Sequence, residues 1–88
     1  MPGKIIVHER IMRKHPDISE SDVIYAWENT VRYVQRRRQG TDPFVAVGPD
    51  KQGRMIEMVG TCLSNGDWLI YHAMRPPSNN TLKELGLI

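Results

Sequence analysis

Apolar residues occur along this chain in short alternating or continuous runs, separated by proline, glycine and asparagine. Ile5-Ile6-Val7 opens the pattern and reads as an edge strand. His8 to His15 reads as a short helix. Val7, Ile11 and Met12 fall on one helical side, and Pro16 ends the helix because the residue before proline avoids the α region. Glu20 to Asn29 is the strongest helix signal. Ser19 is a good N-cap, Asp22 completes a capping box, and Ile18 and Val23 suit a hydrophobic staple. Glu20 and Asp22 also place negative charge at the positive end of the helix dipole. Val23, Ile24, Trp27 and Val31 are assigned to its buried face.

Val31 to Gln39 begins β-branched and aromatic and ends basic, which predicts a strand running into a charged loop. Gly40-Thr41-Asp42-Pro43 is turn chemistry. Phe44 to Val47 is a further strand, followed by a solvent turn at Pro49-Asp50-Lys51-Gln52-Gly53. Met55 to Leu63 and Asp67 to Met74 then form the arms of a hairpin. The pair Asn65-Gly66 is a strong turn signal because both residue types tolerate φ > 0. Strict alternation assigns His72 to the same strand face as Trp68, Ile70 and Met74. Pro76-Pro77-Ser78 breaks regular structure. Thr81 to Leu87 predicts a last helical turn held by Leu82, Leu85 and Leu87, with Gly86 as its stop.

The expected fold is therefore α+β. Two N-terminal helices pack on an antiparallel meander of about four to five strands, in two layers, with a short C-terminal helix. The 88 residues make one domain spanning 1–88. An apolar fraction of 40% with 25% charge is that of an ordinary globular chain. No apolar run approaches the roughly 18 residues of a membrane span, so no membrane partner is expected. The single cysteine, Cys62, rules out an internal disulfide and fits a reducing, cytoplasmic setting. Its place in an apolar arm assigns it to the interior.

The net charge of +2 says less than its distribution. Arg36, Arg37 and Arg38 are consecutive and suit phosphate groups or an acidic partner. His8, His15 and His72 lack the i, i+4 spacing of a helical metal pair, and His8-Glu9 does not open an HExxH signature. There is no nucleophile elbow and no Gly-Lys-Ser/Thr phosphate loop. His72 with arginines is the combination that makes chemical sense. Metal-free RNA cleavage needs an acid/base group that titrates near neutrality, which histidine supplies. It also needs cations on the phosphorane, a task that suits the planar fork of arginine. Tyr71 or Tyr33 would stack on a base. Other assignments remain open: His72 as a hydrogen-bonded residue at the core edge, the arginine run as a solvated loop, Trp27 and Trp68 as core, and His15 as a helix cap.

Lys14-His15, the serine-capped helix from Glu20, the basic strand, the hairpin and the closing His72-Ala73-Met74-Arg75 together resemble the small BrnT-type toxins. These belong to the wider RelE-like ribonuclease toxins of bacterial type II toxin–antitoxin pairs. The resemblance covers roughly Ile5 to Leu87 as a pattern of elements. It implies a metal-independent, cofactor-free endoribonuclease that cuts mRNA and is held inactive by an antitoxin protein. It carries phosphate-binding roles to Lys14, Arg36, Arg54 and Arg75, with His72 as the acid/base group. This chain departs from the usual pattern at both ends. Such chains read Lys-His-Gly where this one has Lys14-His15-Pro16. They end the last strand in Ser-Ala-Arg where it has His72-Ala73-Met74, with Arg75 one place late. The expected site is thus His72 and Arg75 as catalytic residues, with Lys14, Arg36, Arg37, Arg38, Arg54 and Tyr71 on RNA. A non-catalytic nucleic-acid- or protein-binding module on the same fold is the alternative, and a homodimer through exposed strand edges a third class.

Overall fold

In the computed structural model, which describes residues 3–37 and 42–88, the hairpin arms are β4 (Met55–Cys62) and β5 (Trp68–Met74). They stand at the centre of a five-stranded mixed sheet. The other strands are β1 (Ile5–Val7), β2 (Arg32–Gln35) and β3 (Phe44–Pro49), and the spatial order is β1-β5-β4-β3-β2. β2 to β5 form the expected antiparallel meander. β1 is an edge strand and runs parallel to β5, with Ile5 beside Trp68 and Val7 beside Ile70. The Lys4 N–H donates to Asp67 Oδ1 at 2.9 Å, which ties the start of β1 to the hairpin end.

Helices α1 (Arg10–Lys14) and α2 (Glu20–Glu28) cover one face of the sheet. Their shared core contains Val7, Ile11, Ile18, Val23, Ala26, Ala46, Ile56, Met58, Ile70 and Ala73. The capping box of α2 is complete. Ser19 Oγ accepts the Asp22 N–H at 3.1 Å, and Asp22 Oδ2 accepts the Ser19 N–H at 3.0 Å. His15 is the C-cap of α1. α2 lies so close to β3 that a Cβ on Gly48 would stand 2.1 Å from the Ala26 carbonyl oxygen. Val31 departs from the expected helix face and is 56% exposed. The chain leaves the helix at Asn29, and the Val31 N–H instead donates to Val47 O at the start of β2.

The two-layer expectation also changes. Helix α3 (Asn79–Glu84) lies on the opposite face, where Val45, Val47 and Leu85 are buried. The hairpin turn differs from its expected form too. Only Gly66 has a positive φ, 92°, whereas Asn65 does not. Leu63 N–H donates to Asp67 O and Gly66 N–H to Leu63 O, making a longer loop with one left-handed residue. Asn65 contributes through its side chain, whose Oδ1 accepts the Asp67 N–H. Cys62 is exposed, not interior, because it is the last residue of β4 beside this solvent-facing turn. No helix among the described residues is long and apolar enough to cross a membrane.

Candidate active site

A β-bulge creates the site. Val59 pairs with His72 but the next residue, Gly60, pairs with Ile70, so Tyr71 is an extra residue on β5. A bulge breaks the two-residue period of a strand. Ile70 and Ala73 both face the helical core. His72 is therefore turned away from Trp68 and Ile70, to the face carrying Glu57 and Val59. This corrects the assignment made from strict alternation.

On that face His72 Nε2 lies 2.8 Å from Glu57 Oε2. The other carboxylate oxygen accepts the Ser78 N–H and the Ser78 hydroxyl, each at 2.9 Å. Ser78 is the N-cap of α3, so the same residue starts that helix and anchors Glu57. Burial pushes the Glu57 carboxyl up. The hydrogen bonds from the Ser78 N–H, His72, Thr81 and the Ser78 hydroxyl outweigh it and hold the group below the ordinary carboxylate range. An ionised carboxylate only accepts, so Nε2 carries the proton. In the neutral form of the ring the lone pair is then on Nδ1, which has no hydrogen-bond partner among the described residues. Glu57 fixes both the tautomer and the ring plane.

His72 stands between two adjoining clefts. The larger, about 440 Å³, is lined by Arg10, Arg36, Pro43, Val59 and Thr81 as well as the His72–Glu57 pair and Tyr71. The smaller, about 160 Å³, adds Lys14, His15, Ile11 and Ala73 to Arg10, Tyr71 and His72. Arg10 thus borders both. Its Nε donates to the Tyr71 carbonyl oxygen at 2.9 Å, and its guanidinium stands 5.6 Å from the centre of the Tyr71 ring. Neither Nη group has a hydrogen-bond partner among the described residues. Arg36 is held differently: its Nε and Nη2 donate to the two Glu84 oxygens at 2.8 and 2.7 Å. That bond raises the Arg36 pKa further above its ordinary value, against the effect of partial burial.

Of the residues expected at the site, the clefts bring together His72, Lys14, Arg36 and Tyr71. Arg37 is exposed beside them in sequence, and Arg38 lies outside the described residues. Arg75 and Arg54 line neither cleft. Arg75 Nη1 donates to Asp50 Oδ2 at 2.7 Å, and its Nη2 donates to the Asp17 carbonyl oxygen at 2.8 Å. Arg54 Nε donates to the same Asp50 oxygen at 3.0 Å. Asp50, read from sequence as part of a solvent turn, is buried. Burial pushes its carboxyl up, but the Arg54 and Gln52 N–H groups and the Arg54 side chain bring it below the ordinary range. Arg75 therefore ties the end of β5 to the β3–β4 turn and to the loop before α2.

Neither Arg10 nor Glu57 stands out as a site residue in the sequence. Arg10 reaches the site because β1 pairs in parallel with β5, a long-range contact with no local signature. Glu57 lies at an apparently exposed position in the apolar arm but is buried, and its partner His72 is fifteen residues away. A third cleft, about 420 Å³, lies at the edge of the helical face. Trp27, Tyr33, Phe44 and Trp68 line it, with Tyr33 65% exposed on edge strand β2. No group of three or more His, Cys, Asp or Glu side chains among the described residues is placed to hold a metal ion. Comparison with protein-family models, curated proteins and solved structures found no match to this chain.

Proposed function

We propose that this protein is a metal-independent endoribonuclease, the toxin of a type II toxin–antitoxin pair of the RelE- and BrnT-like kind. The observation that carries the reading is the Glu57-oriented His72 imidazole between clefts bordered by Arg10, Arg36 and Lys14. In this mechanism His72 Nδ1 takes the proton of a ribose 2′-hydroxyl. The 2′ oxygen attacks the adjacent phosphorus, and the bond from phosphorus to the 5′ oxygen breaks. The products are a 2′,3′-cyclic phosphate and a 5′-hydroxyl, whose proton comes from water. Glu57 stabilises the imidazolium formed on the way. Arg10 stabilises the added charge on the phosphorane oxygens. Tyr71, already packed against Arg10, offers a ring edge to a neighbouring base.

The reading includes an inhibitory protein partner. The exposed aromatic cleft beside edge strand β2 supports a surface for one, away from His72. The test is expression in bacteria together with cleavage of RNA by the purified chain. Growth arrest relieved by His72→Ala at equal protein level, and a product ending in cyclic phosphate, would support the proposal. A stable protein that neither arrests growth nor cuts RNA would overturn it. Salt-sensitive RNA binding without any product would instead favour the non-catalytic binding module.

A further inference from the structure

The Arg36–Glu84 pair borders the His72 cleft, which already holds the His72–Glu57 pair. Arg36 lines that cleft together with Arg10 and Thr81. Its Nε and Nη2 present a two-pronged donor edge, with contacts of 2.8 and 2.7 Å to Glu84. A phosphate with two free oxygens matches that edge as a carboxylate does. The pair is also only partly shielded, with side chains 31% and 30% exposed. Exchanging one anion for another there strands no buried charge, because Glu84 stays at the exposed surface of α3.

We propose that Arg36 is a phosphate subsite that Glu84 occupies in the absence of RNA. The phosphate next to the scissile one takes the guanidinium fork from Glu84. The carboxylate thus acts as a built-in competitor that lowers affinity for isolated phosphates and short fragments. A polynucleotide offers contacts at Arg10 and Lys14 as well, and these offset the displacement. This inference rests on the RNA-cleaving reading and adds the place of a flanking phosphate and the group it displaces.

The experiment measures binding in a His72→Ala background, so that no probe is consumed. The probe is an unstructured, fluorescein-labelled 12-nucleotide RNA, titrated at several salt concentrations. Glu84→Gln should tighten binding severalfold, because Arg36 keeps its charge and loses its competitor. Arg36→Ala should weaken binding roughly tenfold and reduce the salt slope by about 0.7, the loss of one single-strand phosphate contact. In the Arg36→Ala/Glu84→Gln double variant the gain from Glu84→Gln should vanish. Arg36→Lys, which keeps a cation but not the fork, should fall between. If the parent binds RNA but Glu84→Gln leaves affinity unchanged or weakens it, the displacement is wrong while the ribonuclease reading stands. If the parent does not bind RNA at all, both fall. Thermal melts of each variant identify any loss that reflects unfolding.

Discussion

His72 and Glu57 are hydrogen-bonded at 2.8 Å, although the cross-strand neighbour of His72 is Val59 and that of Glu57 is Met74. They are diagonal neighbours on one sheet face, a distance that long side chains span. The bulge at Tyr71 makes the diagonal possible by turning His72 away from the helical core. Cleft lining and core packing are thereby separated on one short strand: Ile70 and Ala73 face the helices, and His72 faces the cleft.

The first prediction concerns this pair. His72→Ala should lower RNA cleavage by about 10²–10⁴-fold, the usual contribution of a positioned acid/base group. Glu57→Gln keeps the shape but no longer selects the Nε2–H tautomer. It should lower kcat at least about tenfold and leave KM nearly unchanged. Single-turnover and steady-state cleavage of one RNA would check both. Equal loss in KM and kcat for Glu57→Gln would point to a damaged cleft and not to a misoriented imidazole.

Acid stability follows from two depressed carboxyls. Glu57 and Asp50 both ionise more readily in the folded chain than in the unfolded one. A depressed folded pKa contributes stability that is full above the unfolded value, about 4, and is lost as pH falls through the folded value. Stability should thus be flat near neutrality and fall below about pH 4. Glu57→Gln and Asp50→Asn should each flatten that fall while lowering the neutral plateau. Urea denaturation across the pH range would show it, and an unchanged acid slope in both variants would contradict the assignment.

Arg75 should behave as a structural residue. Its side chain is 9% exposed and binds Asp50 and Asp17, whereas the Arg54 side chain is 55% exposed. Removing Arg75 leaves the buried Asp50 carboxylate with its backbone donors and Arg54 alone. Arg75→Met should therefore lower the melting temperature clearly more than Arg54→Ala does. In a partly denatured sample, cleavage per folded molecule should stay near that of the parent. A stable Arg75→Met protein with no activity would return Arg75 to the reaction.

Gly48 tests the seating of α2 on the sheet. A Cβ there meets the Ala26 carbonyl oxygen at 2.1 Å, and neither backbone can move without opening the core. Gly48→Ala should cost about 1–3 kcal/mol or more in chemical denaturation. A neutral result would mean that α2 is free to slide on β3.

Much of this fold was legible because its signals are local. The capping box of α2, the hairpin arms and the meander follow from residue types within a few positions of one another. The errors share a cause as well. Alternation cannot register the extra residue at Tyr71, and that single insertion reverses the face of His72. The parallel pairing of β1 with β5 spans most of the chain, so Arg10 was invisible as a neighbour of Tyr71. Arg36 lines the His72 cleft and Arg75 does not; charge alone cannot say which arginines already have carboxylate partners elsewhere. Asp50 claims Arg75, while Arg10 keeps its Nη groups unpartnered among the described residues.

The last prediction rests on Arg10. Its Nε is bonded to the Tyr71 carbonyl oxygen and its plane lies near the Tyr71 ring, so its orientation is set by the bulged residue itself. Arg10 lines both clefts beside His72, where in the proposed mechanism its Nη donors would meet the charge on the phosphorane. Arg10→Ala should lower kcat about 10²-fold, the cost of losing one preorganised donor group. Arg10→Lys should recover little, because lysine offers neither the Nε anchor nor a planar donor edge. Tyr71→Phe should be nearly neutral, since the carbonyl and ring remain. Tyr71→Ala should fall partway toward Arg10→Ala by loosening the guanidinium. Full recovery by lysine would show that charge alone suffices there, and would remove the bulge from the account of how the site is organised.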